Sequence, residues 1–307
     1  MKRTKQTKQP DLILCGDFHL REDQPTCRTD NYQMAQWKKV EFIRHLQLDY
    51  NCPVLHSGDL FNHWKPSPSL LSKTIIALPN QFHTILGNHD LPQHNLDLIH
   101  KCGVFTLRTA GALQILPGCH WGEVPTDSSI STGTIDITSM ADKKQQFIDG
   151  YEILVWHVMT FQGKKPWPGC TDPMAASLLR KYPEYDLILT GHNHQSFTEK
   201  HEGRLLVNPG SLTRHKADQI DHRPCVYLWY DDTNTAVPVY LPIEQGVISR
   251  DHIEHSKERN DRIDAFISKL DDDWEAAVSF EENLERFEKT NKVRKSVMEI
   301  VHKAIES

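Results

Sequence analysis

Five short stretches of this 307-residue chain carry side chains that bind divalent metals. Asp17 and His19 stand two apart. Gly58 precedes Asp59. Gly87-Asn88-His89-Asp90 offers an amide oxygen, an imidazole and a carboxylate. His157 stands alone, and Gly191-His192-Asn193-His194 offers two imidazoles, again two apart. On an extended segment, residues i and i+2 project to the same side, so each two-apart pair can converge on one ion. Carboxylates, imidazoles and an amide without thiolate suit Mn²⁺ first, with Fe, Zn²⁺ or Mg²⁺ as alternatives. They do not suit a calcium cage or a cysteine-type structural zinc site. A centre of this kind supplies Lewis-acid and hydrolytic chemistry.

Each stretch follows a short apolar run. Leu12-Ile13-Leu14 leads to Asp17, Pro53-Val54-Leu55-His56 to Asp59, and Phe82-His83-Thr84-Ile85-Leu86 to Asn88. Ile153-Leu154-Val155-Trp156 leads to His157, and Leu187-Ile188-Leu189 to His192. Runs this short predict buried strands rather than helices. Met34, Trp37, Val40, Ile43 and Leu46 recur at helical spacing between the first two runs, and Pro68 to Leu78 predicts a second helix. Strands alternating with helices imply an α/β core. Every polar cluster then sits at the carboxyl end of a strand, the edge where ligands bind in open α/β sheets. Gly118 to Asp142, rich in Ser, Thr and Asp, reads as a surface excursion. Phe161 to Asp172 follows the His157 strand and is expected to hang over the site. Val226 to Tyr230 reads as a late strand. Beyond about residue 250 the chain is highly charged and helical in pattern, with one helix near Ile253 to Leu270 and another near Phe280 to Ser307.

The ordered set D-x-H, G-D, G-N-H-D, H, G-H-x-H resembles the five-motif signature of calcineurin-like metallophosphoesterases, over Asp11 to about Arg214. The resemblance implies a two-sheet β-sandwich flanked by helices, with a C-terminal helical extension here. It implies two divalent ions, Asp17, His19, Asp59 and His194 holding one and Asp59, Asn88, His157 and His192 the other, with Asp59 shared. His89 would approach the phosphate to stabilise charge or protonate the leaving oxygen, with Asp90 orienting it. The stretch Gly58-Asp59-Leu60-Phe61-Asn62-His63-Trp64-Lys65-Pro66-Ser67 further resembles the Mre11/SbcD nucleases. Archaeal and eukaryotic members carry His where this chain has Asn62, and His63 stands one place later. Asn208-Pro209-Gly210-Ser211 is common to small phosphodiesterases and does not discriminate.

Net charge is -6, so no global basic field marks the chain as a nucleic-acid binder. DNA as substrate therefore requires local contacts: His63, the cations Lys164 and Lys165 with the ring of Trp167, and Arg214 with His215 and Lys216. Seven scattered cysteines without a C-x-x-C pair suggest reduced thiols. No apolar run reaches membrane-spanning or signal-peptide length. These features predict a cytoplasmic protein, its compact size suiting a bacterial or phage version. The expected organisation is a basic arm over 1–10, a catalytic domain over 11–245 and a helical region over 246–307. The last part, with fifteen acidic and ten basic residues from Asp251 on, is a poor DNA surface. It would instead dock an SbcC/Rad50-like ATPase or a second copy of the chain, or pack on the core. The leading expectation is a Mn²⁺-dependent DNA nuclease, endo- or exonucleolytic, in repair, recombination or replication. The alternative is a small-molecule phosphodiesterase or phosphatase on the same two-metal core. A scaffold with a dead site is disfavoured by the intact ligand set.

Overall fold

The computed structural model describes residues 8–116, 151–272 and 280–305. The excursion expected at Gly118 to Asp142 lies outside them, as does most of the basic arm. Two compact units divide the chain, Met1–Ser249 and Arg250–Ser307.

In the first unit, a six-stranded sheet runs in the order β10-β9-β1-β2-β3-β4, from β1 (Leu12–Cys15), β2 (Val54–His56), β3 (Phe82–Thr84), β4 (Gln114–Ile115), β9 (Cys225–Tyr230) and β10 (Thr235–Tyr240). Strands β1 to β4 are parallel; β9 and β10 join antiparallel. A four-stranded sheet runs β5-β6-β8-β7, from β5 (Ile153–Trp156), β6 (Leu187–Thr190), β7 (Phe197–His201) and β8 (Arg204–Asn208). Burial on both faces explains why the strands read as unbroken apolar runs. On β1, Leu12 and Leu14 enter the core between the sheets, with Leu55, Val155, Leu187, Val207 and Trp229. Its alternate residues, Ile13 and Cys15, face the opposite way, under α1 (Tyr32–Tyr50) and α2 (Pro68–Ala77). On the other sheet, Leu154, Ile188 and Leu206 pack under α4 (Ala175–Lys181). α3 (Gly103–Thr109) completes the helical layer of the first sheet through Val104 and Leu107.

Local chemistry sets the helix ends. The Asn31 side chain accepts from the Met34 N–H at the start of α1, and Asn51 closes it in left-handed conformation, φ 48°. Ser67 caps α2, with Pro68 in the first turn. The apolar stripe expected on α1 is partly displaced: Met34 is 63% exposed, whereas Tyr32, Gln36, Lys39 and Gln47 are buried beside Val40 and Ile43. Val247 and Ile248 pack with Cys27, and the Ser249 N–H reaches the Cys27 carbonyl, which fastens the end of this unit.

The second unit contains α5 (Asp251–Asp272), α6 (Phe280–Thr290) and α7 (Lys295–Ile305). The single helix expected from Phe280 onward is thus broken. Thr290 and Asn291 are weak helix formers, and both the backbone and side-chain amides of Asn291 turn back to the Phe287 carbonyl. No helix among the described residues is long and apolar enough to cross a membrane.

Candidate metal centre

All five motifs meet at the carboxyl edge, but not by strand alternation. β1 stops at Cys15, and His19 lies beyond it with φ 46°. Asp59 (φ 55°) and His192 (φ 70°) also occupy the left-handed region, which non-glycine residues enter only at a cost. Tight turns at three candidate ligands aim the side chains inward. The Asp59 carbonyl accepts the N–H groups of Phe18 and His19, and the Leu212 N–H reaches the Asp17 carbonyl, so the loops brace one another.

Asp17, His19, Asp59 and His157 are each no more than 1% exposed. Asp59 Oδ1 accepts the His89 N–H at 2.8 Å, while Oδ2 lies 3.5 Å from His19 Nε2 and 3.4 Å from His157 Nε2. His157 donates Nδ1–H to the Ser57 carbonyl at 2.7 Å, which turns Nε2 to the cluster. Asn88 Oδ1 stands 3.2 Å from His157 Nε2 and 3.0 Å from His192 Nδ1. His19 Nε2 and His194 Nε2 are 3.1 Å apart, and Asp17 Oδ2 is 3.8 Å from His194 Nε2.

Asp17 Oδ2, Asp59 Oδ2 and His19 Nδ1 are buried without a hydrogen-bond partner. Buried carboxylate oxygens left in that state are costly, and divalent cations would satisfy them. Ligand atoms of Asp59, His157 and His192 lie within 4.8 Å of one another, as do those of His19, Asp59 and His89 and of His19, His194 and His215. The donor set therefore fits two adjacent ions that share Asp59.

Burial lowers His192 to about 4 and His194 to about 2, leaving both neutral and able to ligate. Burial pushes the Asp17 carboxyl up to about 8, with the His157 charge opposing. His157 is also penalised by burial, but Asp59 and Asp17 hold it up at about 9. Asp59 is held well below the usual carboxylate range because His157, His19 and His89 outweigh its burial.

These shifts have a testable sign. A folded-state pKa above the unfolded value means stability falls as pH rises between the two. For Asp17 that window runs from 3.8 to about 8, and for His157 from 6.5 to about 9. The lowered imidazoles act oppositely, but only below 6.5. Between 6.5 and about 8 both groups therefore cost the metal-free protein stability as pH rises, and cations that replace those protons restore it. The Mn²⁺-induced rise in Tm is expected to be larger near pH ~8.5 than near pH ~6.5 by scanning calorimetry against a chelated control; equal rises would contradict this.

Gly87 explains the close packing of two of the loops. A Cβ there would stand 2.0 Å from Asp59 Oδ1 and 2.5 Å from the Asp59 nitrogen. Gly87→Ala is expected to cost about 1–3 kcal/mol through overpacking and to displace Asp59. The variant's melting temperature should then no longer respond to Mn²⁺; an unchanged response would show that the loop yields without moving the carboxylate.

Several expected roles are corrected by these contacts. Asp90 does not orient His89. Its carboxylate is taken up by the N–H groups of Leu60, Phe61 and Gly87, so it ties the second and third motifs together. The exposed His89 instead donates Nδ1–H to the Asn62 carbonyl at 2.8 Å. Arg214 is turned into the protein and not exposed beside the last motif: it is 4% exposed, and its guanidinium donates to the Ile220 and Glu244 carbonyls. His63 is exposed and accepts the Lys65 N–H through Nδ1. Of the Phe161–Asp172 loop, Asp172 contributes a minor upward influence on His192, against its burial. Within the loop Lys165 donates to the Cys170 carbonyl, Lys164 is exposed, and Trp167 is 47% exposed. His215, expected only as a phosphate contact, places its ring 5.0 Å from that of His19 and 4.9 Å from that of His194, with Nδ1 buried and unpartnered. No motif spacing marks it in the sequence.

Residues 11–228 match the model of the calcineurin-like phosphoesterase superfamily domain. That segment is well over half of the chain, and the chain belongs to this superfamily. It is a phosphoester hydrolase of a class that uses divalent metals. Among solved structures it is similar to an archaeal phosphodiesterase at 14% identity, covering 75% of this chain and 99% of that one, TM-score 0.41. It is similar to a putative 5'-nucleotidase from Staphylococcus aureus at 15% identity, covering 81% of this chain but 58% of that one, TM-score 0.44. A Vps29 from Entamoeba histolytica, complexed with zinc, shares 16% identity over 75% of this chain and 98% of that one, TM-score 0.32. Likenesses this distant carry no argument about substrate; the family rests on the matched segment.

Proposed function

We propose that this hydrolase is a Mn²⁺-dependent DNA nuclease of Mre11/SbcD type, acting in repair, recombination or replication. The observation that carries this reading is the G-D-L-F-x-x-x-K-P-S stretch and the way it is built into the site. Leu60 and Phe61 are 0% exposed and give their N–H groups to Asp90, the Asn62 carbonyl holds His89, and Ser67 caps α2. The segment thus runs from the shared carboxylate to the candidate acid and on to the helical layer.

In this reading Asp17, His19, Asp59 and His194 hold one ion, and Asp59, Asn88, His157 and His192 the other. A bound metal pair supplies charge neutralisation for a phosphate and an acidified water. The mix of oxygen and imidazole donors without thiolate suits Mn²⁺. His89, fixed through Nδ1 by the Asn62 carbonyl, presents Nε2 to the leaving oxygen and gives it a proton. Lys216, exposed and close enough for its charge to act on His194, meets a backbone phosphate. The C-terminal unit, with Ile253, Ile263, Ile267 and Ile300 at least 48% exposed, docks a coiled-coil ATPase or a second copy.

One observation favours a small-molecule phosphodiester instead: Arg214 is buried and Lys165 is spent on its own loop, which removes two of the cations expected to meet a long polyanion. The test is incubation with Mn²⁺ and labelled single- and double-stranded DNA, alongside bis-p-nitrophenyl phosphate. Cleavage of DNA is expected. Hydrolysis of the small ester with untouched DNA would transfer the assignment to the small-molecule reading.

A further inference from the structure

Arg28, Lys39 and Arg214 are cations only 6%, 3% and 4% exposed, and they share one cavity of about 70 Å³. Exposed Lys38 and Glu244 also line it. Arg28 makes a two-point pair with Asp30 and donates its other nitrogen to the Arg214 carbonyl at 2.9 Å. Among the described residues, neither of the other two makes an ion pair. Arg214 donates only to the backbone carbonyls of Ile220 and Glu244. Lys39 Nζ donates to the Ala35 carbonyl at 3.1 Å, and no carboxylate among the described residues lies within ion-pair distance of it. Burial and the two neighbouring guanidinium groups push Lys39 down to about 8, with the Asp30 and Glu244 charges opposing. A buried cation in that position either gives up its proton or takes a counter-ion.

We propose that this cavity is an oxyanion site that takes a phosphate group, either free inorganic phosphate or a phosphate of a nucleic-acid backbone. The Lys39 ammonium and the N–H groups that Arg214 keeps beyond its two carbonyl bonds, beside the Asp30-paired Arg28, form a donor set that recognises tetrahedral oxyanions. The cavity holds several waters' worth of space, enough to exchange them for one such ion. It also adjoins the catalytic edge through the chain itself, because Arg214 precedes His215, whose ring stands beside those of His19 and His194. The site does not depend on which phosphoester the strand-end cluster cleaves.

The full chain is titrated with inorganic phosphate by calorimetry, both Mn²⁺-loaded and chelated, so that phosphate held at the strand ends is told apart. Saturable binding and a phosphate-dependent rise in Tm are expected without metal. Lys39→Met keeps the stem and removes the charge. It should raise the Tm of the ligand-free protein and weaken phosphate binding by at least about tenfold, the scale of one charge-assisted hydrogen bond. A lysine with a purely structural role would lower the Tm on removal. Lys38→Glu, exposed at the cavity mouth, should weaken phosphate binding without altering the ligand-free Tm, and decides the matter if Lys39→Met fails to fold. A labelled single-stranded oligonucleotide under chelation separates the two sources. Displacement by phosphate, and loss in Lys39→Met, identify the backbone; unchanged oligonucleotide binding with lost phosphate binding identifies the free ion. Absence of saturable phosphate binding to the chelated chain, or unchanged wild-type affinity in both variants, overturns the site. Neither result touches the nuclease reading, since no step uses cleavage.

Discussion

Asp59→Asn is expected to leave a folded protein that no longer retains two divalent ions and hydrolyses phosphodiesters at least about 10³-fold more slowly, a loss of several kcal/mol of transition-state stabilisation. Three features of Asp59 make this the largest effect at the site. Among the described residues it is the one carboxylate whose free oxygen faces imidazoles of both ligand sets, His19 at 3.5 Å and His157 at 3.4 Å. That oxygen has no hydrogen-bond partner, so cations are its natural complement. Its charge, with that of Asp17 beside it, also raises His157 against the cost of burial. Asparagine keeps the shape and can still accept the His89 N–H through its carbonyl oxygen. Its amide nitrogen, however, would meet the imidazoles where cations should sit, and the anionic charge that binds metal is gone. Metal content by mass spectrometry, with turnover of bis-p-nitrophenyl phosphate, measures both parts. Two retained ions and unimpaired turnover would remove the basis for a shared carboxylate.

The strand ends could be read from sequence because the two signals there are independent. Apolar runs of three to five residues give buried parallel strands, and ligand-type residues follow them at once. The β7–β8 hairpin escaped that reasoning although it carried a signal: Glu202 and Gly203, with φ 49° and 80°, form the tight turn that joins the strands. Its first strand, Phe-Thr-Glu-Lys-His, is half-buried at a sheet edge and so lacks an apolar run. Direction is what the sequence could not supply. A cation beside the last motif reads the same whether it faces substrate or, like Arg214, the carbonyls behind the loop. His89-Asp90 looks like an imidazole with its orienting carboxylate, yet both Asp90 oxygens are consumed by backbone N–H groups, two from the second motif and one from Gly87 of its own. Left-handed backbone at His19, Asp59 and His192 is likewise not written in the sequence, since Asp and His tolerate that region without requiring it.

That rearrangement around His89 sets the second large effect. With its Nδ1 given to the Asn62 carbonyl, the ring is held for proton transfer through Nε2 and is exposed to an incoming ester. His89→Ala is expected to slow cleavage of an unactivated phosphodiester by about 10²–10⁴-fold, the usual worth of a general acid. Metal content should not change, because Asp59, His157, His192 and His194 remain. The size of the loss should depend on the leaving group. An alkoxide departing from DNA needs the proton, whereas p-nitrophenolate departs readily without it. The same variant should therefore lose much less on bis-p-nitrophenyl phosphate than on DNA. Asp90→Asn should behave differently, weakening metal binding and thermal stability together, since Asp90 fixes the loops that carry Asp59 and Asn88 rather than the imidazole. Equal losses of His89→Ala on both substrates would mean that the imidazole stabilises charge on the phosphate instead of delivering a proton to the departing oxygen.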